Sequence, residues 1–296
     1  MAHQAAFPAR LLARQMKGVP PFDFSTPAGE PALAAPDSVS WRVFKNPIAL
    51  FIGGITAVLL ELAEPRVRSG VWENTSFRTD PLPRMKRTGL AAMVTVYGAR
   101  SKAEAMIAGV GRLHGRVAGT TPDGTAYRAD DPELLDWVQA TASYGFMQGY
   151  HRFVRPLSQA ERDQFYAEAA PSARLYGAVG APTSEAALEA QFQAMRPKLE
   201  PSDIVLEFLN IIARTKAAPF GLGWMQAMLV RAAVSTLPDW TQTLLGLEGR
   251  GLRKGEAGLI RTLGRIADRI AISAAPRPRR RCAWAGRRTS CTAERS

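Results

Sequence analysis

The sequence is poor in the side chains that most often hold metals or act as nucleophiles. Cysteine occurs twice in 296 residues, at Cys282 and Cys291, and histidine occurs three times, at His3, His114 and His151. Two cysteines exclude a four-cysteine zinc site or a four-thiolate iron–sulfur cluster, and they argue against a disulfide-stapled secreted scaffold. Because His3 lies near the terminus and His151 follows a predicted helix, a metal centre held by imidazole has His114 as nearly its only candidate.

The sequence also lacks the motifs of several common enzyme classes. It has no GxSxG pentapeptide, and three histidines offer little material for a serine-hydrolase triad. The pair Gly53–Gly54 is not part of a dinucleotide-binding fingerprint, and no other glycine pattern is typical of phosphate binding. Serine hydrolases and nicotinamide or flavin enzymes of the Rossmann type are therefore not indicated.

No apolar run is long enough to cross a membrane as one helix. The most apolar stretch is 47–62, and its uncharged part is shorter than the roughly 20 residues that a spanning helix needs. We predict a buried core helix here, with a membrane-contacting hairpin as the alternative. The N-terminus has no apolar segment typical of a secretory signal. We therefore expect a cytoplasmic protein, with peripheral membrane contact as an option for an enzyme of apolar substrates.

Acidic residues are in deficit, 26 against 38 lysines and arginines, which gives a net charge of +12. Half of this excess lies in residues 275–296, which contain seven arginines and one glutamate. This tail has no helical or strand periodicity and is typical of disordered segments. A basic tail binds polyanions without specificity, so we expect no specific nucleic-acid function.

Helical periodicity dominates the chain from Trp41 onward. Capping residues and prolines divide it into predicted helices at 45–63, 81–97, 101–119, 132–150, from 158, and about 184–197, 202–215, 220–236 and 251–273. Only 120–129, with its Asp-Gly turn, predicts strands, as a small hairpin. We predict a mainly α single domain over 41–274, an N-terminal extension at 1–40 and a tail at 275–296.

His114 shares the apolar face of the predicted helix 101–119 with Ala103, Met106, Ile107, Val110, Leu113 and Val117. A hydrogen-bonded core histidine and a metal ligand are both consistent with this position. The same segment contains four glycines, which each cost up to ~1 kcal/mol of stability inside a helix. They predict that another helix or a flat macrocycle approaches the backbone closely; they are Gly109, Gly111, Gly115 and Gly119.

Two further helices carry polar candidates. Arg84, Arg87 and Thr88 stand at i, i+3 and i+4, which places them on one face within about one 5.4 Å turn. Two guanidiniums on one face can bind carboxylates, such as haem propionates, through bidentate hydrogen bonds. The alternative interpretation is that these residues form a basic surface exposed to solvent. Gln139 shares a face with Leu135, Val138, Ala142 and Phe146, so its amide should point inward and need a partner, such as a ligand, a backbone group or His114.

Four segments, in this order and spacing, resemble a known family. They are NPIALFIGGITAVLLELAEPRVRSGV, SFRTDPLPRMKRT, RLHGRVAGTTPDGTAYRADDPELLDWVQAT and RPLSQAERDQFYAE, followed by STLPDWTQTLLGL near the end. The family comprises the latex-clearing rubber oxygenases and the MpaB-type oxygenases. The resemblance extends from about Trp41 to Leu247.

The resemblance implies an all-α, globin-like domain that holds haem b through one proximal histidine. His114 matches this iron ligand in the H-x-x-V-x-G pattern, and Arg84 and Thr88 match the R-x-x-x-T motif beside the haem. Arg87 falls where the latex-clearing branch has a distal lysine, and Glu73 is the candidate acid or base near the distal side. We therefore assign catalysis to Glu73 and Arg87 as an expectation.

The family chemistry is oxygen-dependent cleavage or oxidation of apolar, often isoprenoid, substrates. The resemblance thus predicts a haem-dependent oxygenase that uses dioxygen on a hydrophobic small molecule or polymer. Thr75 and Gln139 depart from the family, because many members have histidine at these two positions; Gln139 is expected to contact the cofactor. The alternative from another class is a non-catalytic helical protein that binds a lipid or a protein partner.

Overall fold

The computed structural model describes residues 22–215 and 223–269. In these residues the regular structure is twelve α-helices, one short 3-10 helix and one two-stranded sheet, so the prediction of a mainly α fold is confirmed. The predicted tail at 275–296 and the first 21 residues of the predicted extension lie outside the described residues.

The chain order of the elements defines the labels used below. They are α1 (Val39–Phe44), α2 (Pro47–Glu61), α3 (Pro65–Asn74), α4 (Pro81–Tyr97), α5 (Arg100–His114), β1 (Ala118–Thr120), β2 (Ala126–Arg128), α6 (Pro132–Phe153), α7 (Gln159–Leu175), α8 (Glu185–Met195), the 3-10 helix Arg196–Lys198, α9 (Asp203–Arg214), α10 (Gly223–Thr236), α11 (Asp239–Leu244) and α12 (Glu256–Arg269).

The core of the fold is the pair α2 and α6, which make the most extensive helix–helix contact in the described chain. Asn46 begins α2, because its side chain accepts hydrogen bonds from the Ile48 and Ala49 N–H groups at 3.1 and 3.2 Å. Most of α2 is buried, as predicted for the apolar stretch. Of the helices described, none alone is long and apolar enough to cross a membrane; α2 and α3 meet that test only as a pair bent by 113°.

Glycine allows α2 and α6 to approach until their backbones touch. A Cβ atom built on Gly53 would lie 2.6 Å from the Gly145 carbonyl oxygen, and one built on Gly145 would lie 2.3 Å from the Gly53 carbonyl oxygen. One turn later, a Cβ atom on Gly149 would lie 2.7 Å from the Ala49 oxygen. The two helices therefore cross along a line of small residues.

Several predicted boundaries were wrong. The predicted helix at 45–63 begins only at Pro47, and a separate helix, α3, follows it after the bend. The helix of His114 begins at Arg100 with no side-chain cap, so Ser101 is inside the first turn rather than capping it. That helix ends at His114 and not at Gly119, because residues 118–120 pair as a strand instead. The short helices α1 and α11 were also not predicted.

The predicted hairpin is present immediately after α5. Strands β1 and β2 pair antiparallel, with Gly119 opposite Tyr127, and Gly124 takes a positive φ of 92° in the turn. A Cβ atom on Gly119 would lie 2.7 Å from the Tyr127 hydroxyl oxygen. Of the four glycines predicted to allow close approach, Gly119 alone has such a neighbour in the described residues, and that neighbour is a tyrosine ring rather than a helix.

The described part of the N-terminal extension packs against the start of α5. Ala32 forms a β-bridge with Ala99, and the Glu30 carboxylate accepts a hydrogen bond from the Ser101 hydroxyl at 2.8 Å. These contacts hold the corner between α4 and α5, the two helices that carry most of the predicted site residues.

Candidate active site

A cavity of about 1690 Å³ lies between α2, α3, α4, α5, α6 and α7. It exists because α4 and α5 stand away from the tightly packed pair α2 and α6. Its walls are predominantly apolar, with side chains from every one of these helices. They include Leu50, Phe51, Ile55, Val58, Val71, Leu82, Met85, Met106, Val110, Leu113, Leu135, Val138, Phe146 and Phe165.

His114 lies half-buried at the C-terminal end of α5 and lines this cavity. No hydrogen bond joins its ring nitrogens to another described residue. Burial lowers the pKa of the His114 imidazole, Arg84 adds to this effect, and Asp130 opposes it. The ring is therefore neutral near pH 7, with a nitrogen lone pair available to bind a metal.

Arg84, Arg87 and Thr88 line the same cavity from α4. Arg84 donates a hydrogen bond to the Thr88 hydroxyl, which in turn donates to the Arg84 carbonyl oxygen at 3.1 Å. Arg87 is exposed and donates to the Ser76 hydroxyl at 3.4 Å. The three side chains thus lie on one side of α4, as predicted, and this side borders the cavity as well as solvent.

Gln139 and Thr75 also line the cavity. The Gln139 amide nitrogen donates to the Ser143 hydroxyl at 3.2 Å, so its inward position is as predicted, but its partner is one turn away on α6. The Thr75 hydroxyl donates to the Val71 carbonyl oxygen at 2.8 Å and closes α3. Thr75 and Gln139 therefore line the same space as His114.

Glu61, the last residue of α2, is a cavity residue that the sequence reasoning missed. It forms no ion pair within 4 Å with any described cation. Burial raises the pKa of Glu61 to about 7, although the nearby charge of Arg84 and the Thr141 hydroxyl act in the opposite direction. A carboxyl group with such a pKa holds or releases a proton near neutral pH.

The neighbouring Glu64 shows why Glu61 is different. Glu64 is buried as the N-cap of α3, and its carboxylate accepts hydrogen bonds from the Val67 N–H at 2.7 Å and the Arg66 guanidinium at 2.6 Å. Glu61 lies three residues earlier and faces the cavity, where the Thr141 hydroxyl is its hydrogen-bonding neighbour and no described backbone N–H or guanidinium donates to it.

Glu73 is the predicted residue that the structure does not bring to the cavity. Its side chain is exposed on α3, and it is not among the residues that line the space. The carboxyl group at the cavity is Glu61 instead of Glu73. A sequence signal existed, because Glu61 continues the face of α2 formed by Leu50, Gly54 and Val58 and is the one charged residue in an otherwise apolar helix.

No cluster of three or more histidine, cysteine, aspartate or glutamate residues suited to a metal ion occurs in the described ranges 22–215 and 223–269.

The chain matches the catalytic domain of the ER-bound oxygenase mpaB/B′ and rubber oxygenase family over residues 41–269. It belongs to this family. The match covers most of the residues that line the cavity and every predicted site residue, and it confirms the resemblance inferred from the sequence segments. The family domain is an oxygenase catalytic domain, which supports an enzymatic role with a substrate and dioxygen as partners. Searches of curated proteins and of solved structures returned no match.

From the raised pKa of Glu61 we predict how the stability of the protein depends on pH. The native state retains the Glu61 proton up to about pH 7, while the unfolded chain releases it near the ordinary value of 4.5. Stability should therefore decrease as the pH rises from 4.5 to 7 and level off above, by on the order of 3 kcal/mol in total. Glu61→Gln should remove this component, which denaturant unfolding at pH 5 and pH 8 measures.

The control for this experiment is Glu73→Gln, which changes the same charge at an exposed position. It should leave the wild-type pH dependence intact. If both variants keep the wild-type difference between pH 5 and pH 8, then Glu61 is ionised at neutral pH and is not the proton-holding group of the cavity.

Proposed function

We propose that this protein is a haem b-dependent oxygenase that acts with dioxygen on a hydrophobic, isoprenoid-like substrate. The observation that carries the proposal is one uncommitted, neutral imidazole, His114, at the wall of a large apolar cavity in an oxygenase catalytic domain. Haem dependence and the substrate class are the parts of this statement that go beyond the family membership.

The residues present fit a haem. The cavity of about 1690 Å³ exceeds the roughly 300–1,000 Å³ of typical small-molecule pockets, which leaves space for a macrocycle together with a substrate. Arg84 and Arg87 supply two guanidiniums on one face, which suits the two propionates. The remaining walls are predominantly apolar, which suits a porphyrin ring.

In this proposal His114 holds the iron, and Arg84 with Thr88 positions the propionates. When bound, the haem supplies activation of dioxygen, which is the chemistry that the protein side chains lack. The guanidinium of Arg87 has no lone pair to offer a metal, so in this proposal it contributes charge and not ligation. The apolar walls bind the hydrocarbon substrate and exclude water.

Glu61 replaces Glu73 as the acid or base of this proposal. Its carboxyl group faces the cavity and changes protonation near neutral pH, which is the range in which a general acid or base is most effective. Arg84 lies close enough to influence both Glu61 and His114 electrostatically. A change in the charge of Arg84 should therefore alter the pKa values of both Glu61 and His114.

The proposal is tested by titrating the purified full-length chain with hemin and recording the visible spectrum. We expect a Soret band that saturates at one haem per chain. Oxygen uptake with a short polyisoprene as substrate then tests turnover. A chain that stays colourless, yet binds an apolar fluorescent probe in the cavity, would favour the non-catalytic lipid-binding alternative.

Arg84→Gln tests the role assigned to the α4 face. Loss of one charge-assisted bond to a propionate should weaken haem binding by about tenfold, since such bonds contribute about 1.5–3 kcal/mol. The matched control is Arg100→Gln, at the exposed start of α5 and outside the cavity lining. Hemin titration of both variants gives the comparison, and equal affinities would contradict the assignment of Arg84.

A further inference from the structure

A second pocket, of about 530 Å³, lies where the end of α6 meets the end of α10 and the face of α12. It shares no lining residue with the large cavity. Four of its ten lining residues are basic or imidazole side chains, and none is acidic; these four are His151, Arg152, Arg261 and Arg265. We call it the arginine pocket.

Two of the arginines are held in place by the backbone. Arg152 donates from Nη1 to the Ser235 carbonyl oxygen at 2.9 Å and from Nε to the Gln148 side chain at 3.0 Å. Arg261 donates from Nε to the Arg152 carbonyl oxygen at 3.2 Å. A guanidinium has five N–H donors, so each retains donors for a ligand.

His151 adds a donor without adding a charge. Its Nδ1 accepts a hydrogen bond from the Leu157 N–H at 2.9 Å, which leaves the proton of the neutral ring on Nε2. Burial and the charges of Arg162 and Arg152 lower the pKa of the His151 imidazole and favour this neutral form. The pocket thus presents N–H donors from four side chains.

The positive charge of the pocket is not neutralised by nearby carboxylates. Within the described ranges, Arg152, Arg261 and Arg265 form no ion pair. Glu256, on the same helix as two of these arginines, is already bound by Arg231 Nε at 2.9 Å. The chain beyond the described residues adds seven arginines and one glutamate at 275–296, so it has the wrong sign of charge to serve as the counter-ion.

We propose that the arginine pocket binds a phosphate monoester. Three guanidiniums and one imidazole N–H match the several terminal oxygens and double negative charge of this group better than the two oxygens of a carboxylate. The apolar side chains that also line the pocket, such as Pro156 and Leu252, suit the esterified carbon part. The same chemistry is found in a soluble phosphate ester and in the headgroup of phosphatidic acid.

The test uses the full-length chain and three probes: inorganic phosphate, glycerol 3-phosphate, and phosphatidylcholine vesicles with or without phosphatidic acid. Calorimetry and vesicle sedimentation are carried out on the wild type, Arg261→Gln and Arg265→Gln. We expect either variant to weaken binding by about tenfold or more. Binding to glycerol 3-phosphate alone identifies a soluble ester, and binding to phosphatidic acid vesicles identifies the lipid; either result supports the pocket.

Arg269→Gln is the matched control, because Arg269 is an exposed arginine of α12 that does not line the pocket. It should bind like the wild type. If Arg269→Gln weakens binding as much as Arg261→Gln, the attraction is diffuse electrostatics and the proposal is overturned. Absence of binding to all three probes overturns it as well.

Discussion

His114→Ala is expected to purify without haem and to remain colourless after hemin is added. The substitution removes the imidazole that we propose as the iron ligand, while the apolar walls and Arg84 remain. Changes to groups that merely support a metal ligand already cost about 10–100-fold in affinity, so loss of the ligand itself should cost at least about 100-fold. The Soret absorbance in a hemin titration measures this directly.

Two controls separate ligation from a structural effect. His151→Ala removes the other described histidine, outside the cavity, and should keep the wild-type Soret band. His114→Gly leaves a hole at the ligand position, and added imidazole should restore the band because it replaces the missing ring. A His114→Ala variant that binds haem as tightly as the wild type would exclude His114 as the ligand.

Gly145→Leu is expected to destabilise the fold more than any other single change considered above. The first atom of any side chain at this position meets the Gly53 carbonyl oxygen at 2.3 Å, a contact that forces α2 and α6 apart. Overpacking in a core typically costs about 1–3 kcal/mol, and a clash with backbone in the central helix pair should reach or exceed the upper end. Urea unfolding followed by circular dichroism measures the loss.

The matched control is Gly111→Ala in α5, where a Cβ atom would meet no atom within 4 Å. There the substitution should raise stability by up to about 1 kcal/mol, because alanine is the better helix former. We therefore expect Gly145→Leu to lower the stability and Gly111→Ala to raise it. If Gly145→Leu unfolds at the wild-type urea concentration, the close crossing of α2 and α6 is wrong.

Much of the site was predictable because its signals are local. The spacing of Arg84, Arg87 and Thr88 places them on one side of a helix whatever that helix contacts, and the Asp131–Pro132 start sets the phase of α6 and hence of Gln139. The apolar face of the His114 helix indicated an inward imidazole. These patterns depend on the periodicity and capping of single helices, which neighbouring residues determine.

The features that could not be predicted from the sequence depend on contacts between segments that are distant in the chain. The glycines that permit close approach are Gly53 and Gly145, on helices 92 positions apart, whereas Gly111 in the glycine-rich His114 helix faces open space. The sequence around each glycine does not show which other helix will contact it. Only the crossing of α2 and α6 decides which glycine is required.

The sequence by itself determined the helical class, the hairpin, the family and the imidazole that lines the cavity, His114. The tertiary structure alone decided which carboxyl group belongs to the cavity. Glu61 and Glu73 both lie on helices near Arg84 in the chain, but α2 turns Glu61 into the apolar space and α3 leaves Glu73 in solvent. The pKa of a carboxyl group depends on this burial, and burial is set by the packing of helices that are remote in the chain.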